Sequence, residues 1–173
     1  MPNLFTFKPS MYSLNKKYFF TIHKGFRHTK ICMESKTSIV NTYQLPLTEY
    51  ILEKNLPSIF KSKCYNDFNL PFNVEVKRTE IGHLFEHIML EYICQTKISK
   101  GEELVSVSGI TDWNWKEECF GTFNITIKIG SQDFDVFFDS LQKSIELFQI
   151  ILNQKLAPHQ KDAGLAPLYS SLS

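Results

Sequence analysis

Thr79-Glu80-Ile81-Gly82-His83-Leu84-Phe85-Glu86-His87-Ile88-Met89-Leu90-Glu91-Tyr92-Ile93-Cys94 lies near the middle of the chain and carries its strongest helical pattern. At about 100° per residue, Ile81, Leu84, Phe85, Ile88, Met89, Tyr92 and Ile93 fill one broad arc. Glu80, His83, Glu86, His87 and Glu91 fill the opposite one, so the stretch reads as an amphipathic helix. The polar arc holds only imidazoles and carboxylates, interrupted by Leu90 and Cys94, and no Lys or Arg occurs between Arg78 and Lys97. A solvated helix face usually carries lysines.

His83 and His87 stand one helical turn apart, so their rings project from one face with backbones about 6 Å apart, close enough to grip one metal ion. Glu86 lies between them in sequence and on the same side. This is the HxxEH order, the inverted form of the zincin motif, in which two histidines hold zinc and the glutamate takes a proton from the water that the metal activates. Neutral imidazole is a good zinc ligand, and zinc brings the pKa of its water towards about 7, where a carboxylate can act as its base. Two histidines at this spacing also occur by chance on helix surfaces, and the motif by itself names no third ligand.

Outward from the helix, the composition narrows the classes. The chain has 173 residues, enough for one domain with a substantial core, and 43% of them are hydrophobic, including 15 Phe. Its 19 basic and 18 acidic residues nearly cancel, which gives no global electrostatic case for nucleic acid or a membrane surface. Neither a signal-peptide pattern at Met1-Pro2-Asn3 nor an apolar run of membrane-spanning length is present. Cys32, Cys64, Cys94 and Cys119 form no CxxC pair, and they read as reduced thiols of a cytoplasmic protein, each a small buried hydrophobe. Cys94 shares the helical arc of His83 and His87 but lies three turns along.

Before the helix, Leu4 to Phe7, Tyr18 to Ile22 and Thr29 to Met33 read as short strands of an antiparallel sheet, with turns at Lys8-Pro9-Ser10 and Lys24-Gly25. The lysines and arginine of this region suit a guarded sheet edge. Pro46 at the first helical position, followed by Thr48 and Glu49, starts a helix that runs to Asn55. Leu56-Pro57-Ser58-Ile59-Phe60 opens a short helix or turn ending near Cys64, and 65–73 is loop leading into the central helix.

After the helix, 97–103 reads as a turn and Leu104 to Ser108 as an alternating strand. Thr111 to Glu118 is an aromatic, acidic loop holding Trp113 and Trp115. Phe120 to Ile129 is the clearest strand, half buried, and Asp133 to Leu152 is a long amphipathic helix. The fold class is therefore α+β, with a small antiparallel sheet packed against the central HxxEH helix and a long C-terminal helix. Residues 1–153 read as a single domain and 154–173 as a flexible tail.

The run Leu56-Pro57-Ser58-Ile59, then Cys64, then Gly82-His83-Leu84-Phe85-Glu86-His87-Ile88-Met89-Leu90-Glu91, then a strand preceded by Gly121, resembles the N-terminal domain of cyanophycin synthetase over roughly Pro46 to Ile129. The resemblance implies an α+β domain with a metallopeptidase-like helix, able in some members to cleave the aspartate–arginine polymer. It implies His83 and His87 as metal ligands, Glu86 as general base, and Glu91 within the pattern. Glu91 is about 12 Å along the axis from His83, so it shares one metal only if the side chains converge, and supporting a histidine is its competing role. Asp112, Glu117 or Glu118 could equally supply a third ligand.

The family domain is fused to two ligase halves, and this sequence has no GxxxxGKS segment, so a stand-alone relative is expected. Its partner would be a peptide or polypeptide substrate, and a homo-oligomer is compatible with the sequence. Asp112, Trp113, Trp115 and Glu118 are candidates to hold a basic side chain of that substrate. Two functions stand: a zinc-dependent hydrolase of a peptide or isopeptide bond, and a non-catalytic peptide-binding or assembly module in which the histidine–glutamate stripe is a structural network.

Overall fold

Phe123, Ile125 and Ile127 alternate along one strand and are all buried, which makes that strand the inner wall of the core. A computed structural model describes residues 10–14, 16–65 and 70–154. The expected strand at Leu4 to Phe7 and nearly all of the expected tail lie outside these residues. Five strands, β1 (Ser10–Leu14), β2 (Tyr18–Lys24), β3 (Thr29–Ser35), β4 (Gly109–Asp112) and β5 (Thr122–Ile127), form one sheet in the order β1-β2-β3-β5-β4. Every pairing is antiparallel. Helices α1 (Thr48–Asn55), α2 (Phe72–Glu75), α3 (Ile81–Ser99) and α4 (Phe134–Leu152) complete the α+β architecture.

The register explains the layering. Ile22, Ile31, Ile125 and Thr111 stand opposite one another across four strands, so one sheet face carries the apolar set towards α3 and α4. Phe85 of α3 packs at 4.9 Å from Phe20 and 5.2 Å from Phe148 of α4, ring centre to ring centre. Phe148 in turn meets Tyr18 edge-on. Buried side chains from the sheet and from α1, α2, α3 and α4 join in one hydrophobic cluster. Among the described residues, no helix is long and apolar enough to cross a membrane.

Three local expectations need correction. Ser10 begins β1 instead of closing a turn, because residues 10–14 find a partner in β2. Helix α1 starts at Thr48, not Pro46: the Leu45 carbonyl accepts both the Thr48 amide and the Thr48 hydroxyl, and this turn sets the first helical position two residues later. Residues 104–108 alternate in exposure but form no strand. The Ser108 carbonyl accepts the Lys128 amide at 2.8 Å as the last rung, and upstream of it the chain crosses to α3, where the Val107 backbone hydrogen-bonds Cys94. The paired segment is β4, placed where the sequence pattern predicts loop.

Candidate metal centre

Gly82 decides how closely α3 can lie on the sheet. A Cβ at this position would stand 2.5 Å from the Phe123 ring, so any side chain would push the helix off β5. With the helix seated, residues 40–42 strap its start. The Ile81 amide donates to the Val40 carbonyl, and the Thr79 amide donates to Thr42 Oγ1 at 2.9 Å. Thr79 is fully buried, and its Oγ1 lies 2.8 Å from His83 Nδ1. That contact orients the ring and leaves Nε2 to face Cys64, whose Sγ is 3.4 Å away.

His87 is fixed from two sides. Phe72 stacks on its ring with centroids 4.0 Å apart and planes 20° from parallel. Ser62 Oγ lies 3.4 Å from His87 Nδ1 while its hydroxyl donates to the Ile59 carbonyl, so the serine oxygen is set to accept from Nδ1–H. Cys64, His83 and His87 bring their ligand atoms within 4.8 Å of one another, and the group could hold a metal ion. Burial, with His83 as a smaller second cause, pushes the His87 pKa down to about 3. Burial also lowers that of His83. Both rings are therefore neutral at pH 7, the form in which imidazole binds a metal.

Glu86 points towards β4, apart from the Cys64–His83–His87 group. Thr111 Oγ1 donates to Glu86 Oε2 at 2.6 Å, and Gly109 lies so close that a Cβ there would stand 2.8 Å from Oε1. The carboxylate is 5% exposed, and burial raises its pKa to about 7, with the Thr111 hydrogen bond opposing and the Asp112 charge adding. So the arc that periodicity assigns to the polar side of α3 is largely enclosed.

The remaining candidates fall in separate places. Glu91 lies outside the Cys64–His83–His87 group: Ser58 Oγ donates to its Oε1 at 2.5 Å and Gln95 donates at 3.1 Å. Trp115 donates its indole N–H to the Thr122 carbonyl at 2.9 Å, and both Trp113 and Trp115 pack their rings on Phe123. Glu118 accepts from Asn124. Asp112 is exposed on β4, and of this set it alone contributes to the charge around Glu86.

Cys64 is the member that the motif does not contain. Its one signal in the sequence is its place after Leu56-Pro57-Ser58 in the resemblance, and its meeting with His83 depends on how the short 3-10 turn Pro57–Lys61 packs against α2 and α3. Thr79, Ser62 and Thr111 carry no such signal. No known family model matches this chain, and no curated protein matches it in sequence.

Proposed function

We propose that this chain is a zinc-dependent hydrolase of a peptide or isopeptide bond, in line with its resemblance to the N-terminal domain of cyanophycin synthetase. The observation that carries the reading is the convergence of one thiol and two neutral imidazoles at the start of α3. A thiolate with two imidazoles suits zinc among the common ions, and three protein ligands leave the fourth position that a catalytic site needs. The 3.4 Å between Cys64 Sγ and His83 Nε2 is close to the edge of about 3.5 Å expected between sulfur and nitrogen in a tetrahedral zinc shell.

When bound, zinc would lower the pKa of water and polarise the scissile carbonyl. In this reading Glu86 serves as the general base, which requires its carboxyl to leave Thr111 and turn towards the Cys64–His83–His87 group, where it would take a proton and return it to the leaving amine. Thr79 and Ser62 hold the two imidazoles in register. Asp112, exposed on β4, offers a charge for a basic substrate side chain.

The Glu86–Thr111 contact also favours a second reading, a binding module in which this pair is structural. The test is metal content of protein prepared without a metal-binding tag, together with hydrolysis of a peptide library by wild type and Glu86→Gln. About one zinc per chain, lost in Cys64→Ala, His83→Ala and His87→Ala, is expected, with Glu86→Gln retaining metal and losing hydrolysis by about 100-fold or more. A wild type that takes up no zinc would remove the hydrolase reading.

A further inference from the structure

Strand β4 is the last in the sheet, and among the described residues nothing pairs with its outer edge. Its register with β5 is Gly109↔Ile127, Ile110↔Thr126, Thr111↔Ile125 and Asp112↔Asn124. The Ser108 carbonyl accepts the Lys128 amide, which makes Ser108↔Lys128 a hydrogen-bonded pair. Alternation along an antiparallel ladder then turns the amides and carbonyls of Ile110 and Asp112 towards β5. Those of Gly109 and Thr111 turn outward. Thr111 also donates to the Glu86 carboxyl, and Gly109 lies close against it.

We infer that the substrate is an extended polypeptide segment that adds to the sheet as a strand against β4, hydrogen-bonded to the backbones of Gly109 and Thr111 beside Glu86. The inference rests on the hydrolase reading for what happens next, but the binding mode stands on the edge itself. Strand addition supplies main-chain hydrogen bonds whatever the peptide's sequence, and pockets beside alternate side chains then select among peptides. Ile110, 57% exposed, and the exposed Asp112 lie on the opposite sheet face from Thr111, where they meet alternate side chains of the added strand. Glycine at 109 has a second consequence: it lets the Glu86 carboxyl lie against the β4 backbone, where an added Cβ would stand 2.8 Å from Oε1.

The test uses an array of decapeptides probed with the full zinc-loaded chain carrying Glu86→Gln, followed by hydrogen exchange of the β4 amides. The best binder is then resynthesised with one N-methyl amide at each position in turn. Expected are slowed exchange at the Gly109 and Thr111 amides and a period of two along the peptide, with alternate N-methyl groups weakening binding by about tenfold or more. Binding without that period, or without protection of those amides, overturns the edge-pairing inference and leaves the hydrolase reading intact. The period and protection without any cleavage by wild type uphold edge pairing and remove the hydrolase reading. Protection that grows with protein concentration in the absence of peptide assigns the edge to a second copy of the chain and overturns the inference, as does failure to bind any peptide of the array.

Discussion

Helices α3 and α4 have the same length, 19 residues each, and pack against one another, yet they treat their ionisable residues in opposite ways. Helix α4 buries Val136, Phe137, Leu141, Leu147, Phe148 and Ile151 and leaves Gln142, Lys143 and Glu146 in water. Helix α3 buries apolar residues too, but it also encloses Glu86 and His87, at 5% and 3% exposure. A polar residue in water costs nothing to keep and says little. A buried carboxyl and imidazole oppose folding unless partners or a bound ion offset their desolvation, so α3 carries a burden that α4 does not.

The comparison can be broken most forcefully from the α4 side. Phe148→Ala, which removes a fully buried ring in contact with Tyr18, Phe20 and Phe85, should cost about 3–5 kcal/mol in urea or guanidinium unfolding. A loss below about 1 kcal/mol would mean that α4 is not the structural partner described.

On α3 the buried ionisable residues themselves should oppose stability, in overlapping pH windows and with opposite slopes. Glu86 has a folded pKa of about 7 against an ordinary 4.5, so the folded state holds its proton longer than the unfolded chain does. Stability of the metal-free chain should therefore fall as pH rises from about 4.5 to 7, by up to about 3 kcal/mol. Glu86→Gln should abolish this limb and make the protein more stable than wild type at pH 8. His87 has a folded pKa of about 3 against an ordinary 6.5, so the unfolded chain binds the proton first and stability falls as pH drops below about 6.5. In Glu86→Gln this acid limb should remain without the opposing one, with a loss of at least about 2 kcal/mol between pH 6.5 and 5, since burial lowers His83 as well. Chemical unfolding across pH measures both, and a flat profile in the variant would show that His87 is not enclosed.

The smallest effect belongs to the solvated face of α4. Lys143 is exposed, and Lys143→Ala should change stability by less than about 0.5 kcal/mol in the same unfolding experiment. A larger loss would reveal that this face is covered.

Much of this contrast is legible in the residues. The strands at Tyr18 and Thr29, the alternation through Phe123, Ile125 and Ile127, and the helical spacing of Phe137, Leu141 and Phe148 are local patterns that burial then confirms. The pairing of β4 was not legible, because a four-residue edge strand containing Gly and Asp has no alternation long enough to distinguish it from loop. Nor was the burial of the α3 polar arc. Periodicity orders the faces of a helix by polarity, but what covers each face comes from elements far away in sequence, here the turn at 57–61, α2 and β4.

The sequence by itself determined that this is an α+β protein built around a helix bearing His83, Glu86 and His87, since spacing along a helix fixes which side chains share a face. The packing of distant segments brings Cys64, not Glu91, to the two histidines, rests Glu86 on Thr111 and Gly109, and sets beside it a strand edge that is unpaired among the described residues. The physical reason is range. Periodicity is a property of neighbours within two turns, whereas a group that joins a thiol to two imidazoles is closed by chain segments whose meeting depends on the whole core.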